Sequence, residues 1–205
     1  MKKFLFGLLA LLAISLLPMV ALADPVSVVF TGVGGGISDP ALDGTQYYIA
    51  PYILTVNGVS ENAFCVDFNH EITFGQTWTA NTTLVSGPLF NLTYQGNQLA
   101  YLEMGYLASI YNSNPGNQAA IQQAVWDISV GNGTKPFNDA STLSYVSQAY
   151  ANANGWNTAG WIILTDTRNS AQEFLIQQPV PEPGSLMLLG IGIVGIAFMR
   201  KKQKT

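Results

Sequence analysis

Residues Val26 to Val33 alternate weakly between apolar and small or polar side chains, then run into Gly34-Gly35-Gly36. That pattern predicts a strand followed by a loop. Two β-rich runs, 47–56 and 59–68, flank Asn57-Gly58. Asn-Gly supplies the positive φ angles of a tight hairpin turn, so the runs predict a β-hairpin. Pro51 cannot donate to a ladder and points to an edge position or a bulge in the first run. Residues 76–85, with Trp78 and a Thr-rich alternation, predict a further strand. Pro88 and the Asn-rich stretch to Asn97 read as loop, with room for a short strand at 89–94.

The period then changes. Leu99, Leu102, Tyr106, Leu107 and Ile110 recur at helical spacing and predict a helix over 98–111. Asn114-Pro115 is a helix-start signal, with Asn as cap and Pro in the first position. The helix that follows carries Ile121, Ala124, Val125 and Ile128 on one face and stops at Gly131. A third, over 140–153, begins after Asp139 and stops at Asn154-Gly155. Residues 161–165 and 173–177 then flank 166–170 as a closing β-hairpin. The expectation is an α+β fold, mainly β: antiparallel strands and hairpins with a two- to three-helix insert at 98–154. It occupies one domain, 24–178, long enough to bury roughly two-thirds of its unfolded surface.

The two ends carry a different kind of information. Lys2 and Lys3, the apolar run 4–17 and Ala21-Leu22-Ala23 form the three parts of a secretory signal peptide, residues 1–23. At the other end, residues 179–205 contain Pro181-Glu182-Pro183, an apolar helix over 185–199, and the basic cluster Arg200, Lys201, Lys202 and Lys204. The apolar helix is short of the ~20 residues that cross a bilayer comfortably. The cluster acts as a stop-transfer signal and stays cytoplasmic. This tail closely resembles the PEP-CTERM sorting signal of exopolysaccharide-producing Gram-negative bacteria. The same segment also carries an ice-binding-protein C-terminal label, which implies nothing about ice. The resemblance implies an exosortase-type sorting protease as partner, cleavage near the Pro-Glu-Pro motif, and a membrane-anchored intermediate before delivery to the cell surface or extracellular matrix.

Charge sharpens the picture of what is delivered. Between residues 24 and 178 only Lys135 and Arg168 are basic, against eleven Asp and Glu, a balance of about −9 that the whole-chain value of −4 conceals. Nucleic acid and anionic lipid are therefore poor partners for the domain. Fifteen Asn, with many Thr, Ser and Gln, supply an uncharged polar surface suited to a carbohydrate-rich setting.

An exported protein with one cysteine poses a question, because no internal disulfide is possible. The cysteine lies in the stretch ENAFCVDFNHEI, residues 61–72. On an extended strand Phe64, Val66 and Phe68 share one face, and Cys65 and Asp67 share the other. With the aromatic face as core, Cys65 would look away from it, toward the helical insert. On the second helix Gln122 and Trp126 lie four apart, one above the other, off the main apolar stripe.

Phe64-Cys65-Val66-Asp67 and Ile121-Gln122-Gln123-Ala124-Val125-Trp126 resemble the two signatures of bacterial surface thioester domains, which are adhesion modules. That resemblance implies β-structure with a helical insert between the signatures. It also implies acylation of Cys65 Sγ by the Gln122 side chain with loss of ammonia, a shielding role for Trp126, and support from Asp67. Ile121 stands where the family has Thr, and the neighbouring Gln123 is open to being misread as the partner of Cys65. An opened thioester would fuse the protein to a surface amine or hydroxyl of a partner, or to exopolysaccharide. Reaction with a lysine would leave an amide bond, and the domain itself holds one lysine.

Other readings of the cysteine stay open: an inert buried thiol in a non-covalent matrix or carbohydrate-binding protein, or an intermolecular disulfide. His70 lies five residues after Cys65, on the opposite face of one extended strand, so a Cys–His hydrolase requires a sharp bend. Cys65, Asp67, His70 and Glu71 lack the second cluster a tetrahedral zinc site needs. The Gly32 to Gly36 run lacks the lysine and strand-to-helix setting of a phosphate loop. No catalytic turnover, metal or cofactor is expected.

Overall fold

The computed structural model describes residues 25–88 and 90–178. The signal peptide, the sorting motif, the C-terminal apolar helix and its basic cluster lie outside the described residues. Six strands form a closed antiparallel barrel: β1 (Val26–Val33), β2 (Tyr52–Val56), β3 (Val59–Cys65), β4 (Thr77–Leu84), β5 (Trp161–Asp166) and β6 (Phe174–Gln177). They are ordered β1-β2-β3-β6-β5-β4, and β4 pairs back onto β1. Three helices, α1 (Gln98–Ile110), α2 (Gln118–Ser129) and α3 (Ala140–Asn152), are inserted between β4 and β5. The fold is thus α+β.

The Asn57-Gly58 hairpin forms as its residues require, with φ of 49° at Asn57 and 85° at Gly58. Pro51 is not on an edge strand, because closure leaves the barrel none. It stands immediately before Tyr52, where the ladder does not yet ask for its missing N–H. The bulge falls instead in β1, between Phe30 and Gly32. Among the described residues, 90–94 do not supply the short strand expected there. Phe90–Leu92 forms a 3-10 turn, closed by the Thr93 hydroxyl donating to the Phe90 carbonyl at 2.7 Å. The helix start at Asn114-Pro115 is also corrected. Asn114 ends a 3-10 turn that caps α1, and α2 begins three residues beyond Pro115 at Gln118. Asp139 caps α3 as expected, its carboxylate accepting from the Thr142 N–H at 2.9 Å.

The barrel interior is read from register. Phe174 sits opposite Cys65 and Leu164 in its two ladders, and its ring meets Tyr52 at 5.4 Å and Trp78 at 6.2 Å from across the barrel. Cys65 therefore lies on the interior side, beside Phe174, and does not look away from the core. The next face is buried as well. Phe64 turns outward yet is covered by Tyr111, ring to ring at 4.9 Å. This doubly buried end of β3 arises because Tyr111, from the end of α1, covers its outer face while Cys65 faces the interior. Alternation of buried and exposed positions therefore fails there, although the side chains still point in and out by turns.

Gly105 lets α1 approach the loop after α3. A Cβ at this position would come within 2.6 Å of the Trp156 ring. Replacing Gly105 with Ala is expected to destabilise the domain by about 1–3 kcal/mol through overpacking, against the usual helix-stabilising sign of Gly→Ala. Urea denaturation of the two proteins measures it.

Candidate functional site

β3 ends at Cys65, and the chain bends so that the Asp67 carbonyl turns back to accept from the Cys65 thiol at 3.1 Å. The Asp67 carboxylate, itself buried, accepts from the Asn69 N–H at 2.9 Å and meets His70 Nδ1 at 2.6 Å. This Asx-type turn explains why the extended run expected to Phe68 stops early. It also supplies the sharp bend that an extended strand lacked, but the imidazole pairs with Asp67 and lies over the Tyr94 ring at 4.8 Å.

From the other side comes α2. Every residue from Ala120 to Ser129 is buried, so Gln122 and Trp126 lie within the packed surface of this helix. Their four-residue spacing brings both to one cysteine. Gln122 Nε2 donates to the Cys65 carbonyl at 2.9 Å, and Trp126 Nε1 donates to Cys65 Sγ at 3.5 Å. Gln122 Oε1 accepts from the Ala50 N–H at 3.3 Å. Tyr111 fixes that donor by giving its hydroxyl proton to the Ala50 carbonyl. Cys65 and Gln122 are fully buried. The neighbouring Gln123 points elsewhere: its Nε2 donates to the Asp39 carbonyl at 3.2 Å and its Oε1 accepts from the Thr142 hydroxyl at 3.0 Å.

Burial pushes the Cys65 thiol up to about 12; the Trp126 N–H and the Asp67 backbone pull it back only in part. Burial thus favours the neutral form of the thiol, which is held between an acceptor and a donor. The Trp126 ring stacks on Phe137 at 5.8 Å and meets Phe68 at 5.7 Å and Tyr47 at 5.8 Å. It also lines a pocket of about 260 Å³ walled by Tyr47, Tyr48, Phe68 and Phe74, with His70 at its side. Trp126 is thus the wall between this pocket and the sulfur.

Sequence reasoning brought Cys65, Gln122 and Trp126 to the same place and named Asp67, whose backbone touches the sulfur while its carboxylate holds His70. It missed Ala50 and Tyr111, which sit in irregular backbone and on a helix end with no motif of their own. It also missed Glu173. This fully buried carboxylate accepts from the Tyr94 N–H at 3.1 Å and from the hydroxyls of Tyr101 and Thr165, joining α1 to the barrel.

Residues 179–202 match the family model of the PEP-CTERM protein-sorting motif. The motif implies an exported protein that passes through a membrane-anchored intermediate and is processed by exosortase. No curated protein and no solved structure matches the chain.

Burial raises Glu173 to about 7, its three donors offsetting only part of the effect, and raises Asp127 to about 6. Both values lie above those of the unfolded chain, so the fold favours the protonated acids. Their stabilising contribution is full below about pH 4 and is lost as pH rises through 6 to 7. The thermal midpoint is expected to fall between pH 5 and pH 8, and Glu173→Gln to flatten the fall.

Proposed function

We propose that this is an exported surface or exopolysaccharide-matrix protein that attaches covalently to its target through an internal Cys65–Gln122 thioester. One observation carries the reading: the Gln122 carboxamide is clamped between the Cys65 carbonyl and the Ala50 N–H, with Cys65 Sγ held by Trp126. A buried carboxamide pinned to the cysteine's own backbone carbonyl, in a dry site, supports acyl transfer between the two residues.

The chemistry balances without an outside reagent. Sγ attacks the Gln122 carboxamide carbon and its proton passes to the departing nitrogen, so a C–S bond forms, a C–N bond breaks and ammonia leaves. Negative charge developing on Gln122 Oε1 meets the Ala50 N–H, already aimed at it. In the reverse sense, Trp126 Nε1 donates to the sulfur as it leaves when a nucleophile opens the bond. Ile121, fully buried in the place of the family's Thr, has no hydroxyl to contribute, so activation falls to Ala50 and the low-dielectric surroundings. The product is made once per molecule and is not turned over. The domain's one lysine is no competitor, since its Nζ is occupied by the Asp127 and Gly131 carbonyls at the end of α2.

A second reading is favoured by the aromatic pocket itself: a non-covalent carbohydrate-binding module, with Gln122 serving as a buried tie between backbone groups and Cys65 as an inert thiol.

Intact mass of the mature domain separates the two. The thioester reading expects a deficit of one ammonia, no reaction with a thiol reagent, and a gain of one methylamine on treatment, with the deficit and the methylamine gain both lost in Cys65→Ala. The full calculated mass with a titratable thiol under denaturing conditions would contradict it. Trp126→Ala removes the wall between pocket and bond and is expected to speed spontaneous hydrolysis on the order of tenfold or more, about 1.4 kcal/mol of barrier. Recovery of the free thiol over time follows it.

A further inference from the structure

The pocket in front of Trp126 has features that the clamp on Cys65 does not need. Tyr48 and Phe74 stand at its rim with 54 % and 64 % of their surfaces exposed. Large rings held open to solvent around a concavity are the usual mark of a ligand site. The remaining lining is mainly uncharged and hydrogen-bonding: Asn69, Gln172 and the tyrosine hydroxyls, with Glu71 the one carboxylate. At about 260 Å³ it falls below the size of drug-like sites and suits a single small ring. Aromatic faces for C–H surfaces, with neutral amides and hydroxyls around them, suit a pyranose.

His70 supplies the chemistry such a ligand requires. A sugar hydroxyl is neutral and weakly nucleophilic, so it needs a base as it attacks. His70 lines the pocket, and its Nδ1 is committed to the buried Asp67 carboxylate at 2.6 Å. With Nδ1 protonated and so engaged, Nε2 is the nitrogen left to accept a proton, and the ring is held in one tautomer. The same Asp67 accepts from the Cys65 thiol through its carbonyl. The base and the sulfur are thereby mounted on one turn, on the pocket side and the buried side of Trp126.

We propose that this pocket receives one pyranose unit of a polysaccharide and that His70, positioned by Asp67, is the general base delivering its hydroxyl to the Cys65–Gln122 acyl group. The inference rests on the thioester reading. The hydroxyl oxygen bonds to the Gln122 acyl carbon, the C–S bond breaks, and the hydroxyl proton leaves through His70 to the Cys65 sulfur or to water. The products are an ester at residue 122 and a free Cys65 thiol. Trp126 swings aside for the hydroxyl to pass.

The probe is methyl glucopyranoside, incubated with the mature domain and followed by intact mass, with each rate expressed per molecule that shows the ammonia deficit. The wild-type protein is expected to gain one glycoside, released by hydroxylamine. His70→Gln is expected to lose roughly 10²-fold or more of that rate while methylamine opening changes far less. Tyr48→Ala, at an exposed rim position, is expected to raise the half-saturating glycoside concentration several-fold. A deficit that responds to methylamine but never to the glycoside, or His70→Gln esterifying at the wild-type rate, would overturn the inference alone. Absence of the deficit in the wild-type protein would overturn the thioester reading and this inference with it.

Discussion

A carboxamide taken wholly out of water must find hydrogen-bond partners for both its ends or cost several kcal/mol. Gln122 meets that constraint with two backbone groups, the Cys65 carbonyl at the end of β3 and the Ala50 N–H in the loop before β2. Much of the surrounding architecture follows from it. α2 must lie with its middle turn against the end of β3, which places Trp126 on the sulfur one turn later. The loop before β2 must hold Ala50 in place, and Gly35 permits this: a Cβ there would sit 2.0 Å from the Ile49 carbonyl oxygen and 2.1 Å from that of Ala50. Loop, strand and helix meet at one side chain.

The rest of the insert is seated by the same kind of contact. Glu173 on the barrel side gathers Tyr94, Tyr101 and Thr165, and Gln123 ties α2 to the start of α3 through Thr142 and to the Asp39 carbonyl. Buried polar ties of this sort hold helices in one register, whereas apolar packing alone tolerates sliding. The proposed thioester, which requires one carboxamide to meet one sulfur, needs that register. The pocket, by contrast, is bounded by exposed rings and by the loop carrying His70, where small movements are less costly.

Much of this was legible along the chain because it follows local rules. Asn57-Gly58 forces a hairpin, Asp139 caps a helix, and the four-residue spacing of Gln122 and Trp126 puts both on one face. Barrel closure was not legible, since the pairing of β4 with β1 and of β3 with β6 is a long-range choice that strand patterns do not encode. The face of Cys65 was misjudged for the same reason: alternation identifies a core face only where one side of a strand meets solvent, and the end of β3 is covered on both. Asn114-Pro115 misled because an Asn followed by Pro serves a turn as readily as a helix start. Ala50 lay beyond reach altogether, because a backbone N–H carries no signature in its side chain.

The central claim concerns a bond between two atoms, and a high-resolution crystal structure of freshly purified mature domain observes it directly. The account predicts continuous electron density joining Cys65 Sγ to the side-chain carbonyl carbon of Gln122, with no density for the amide nitrogen and the carbonyl oxygen facing the Ala50 N–H. A complete Gln122 carboxamide beside a separate thiol, in crystals never exposed to amines, would contradict it.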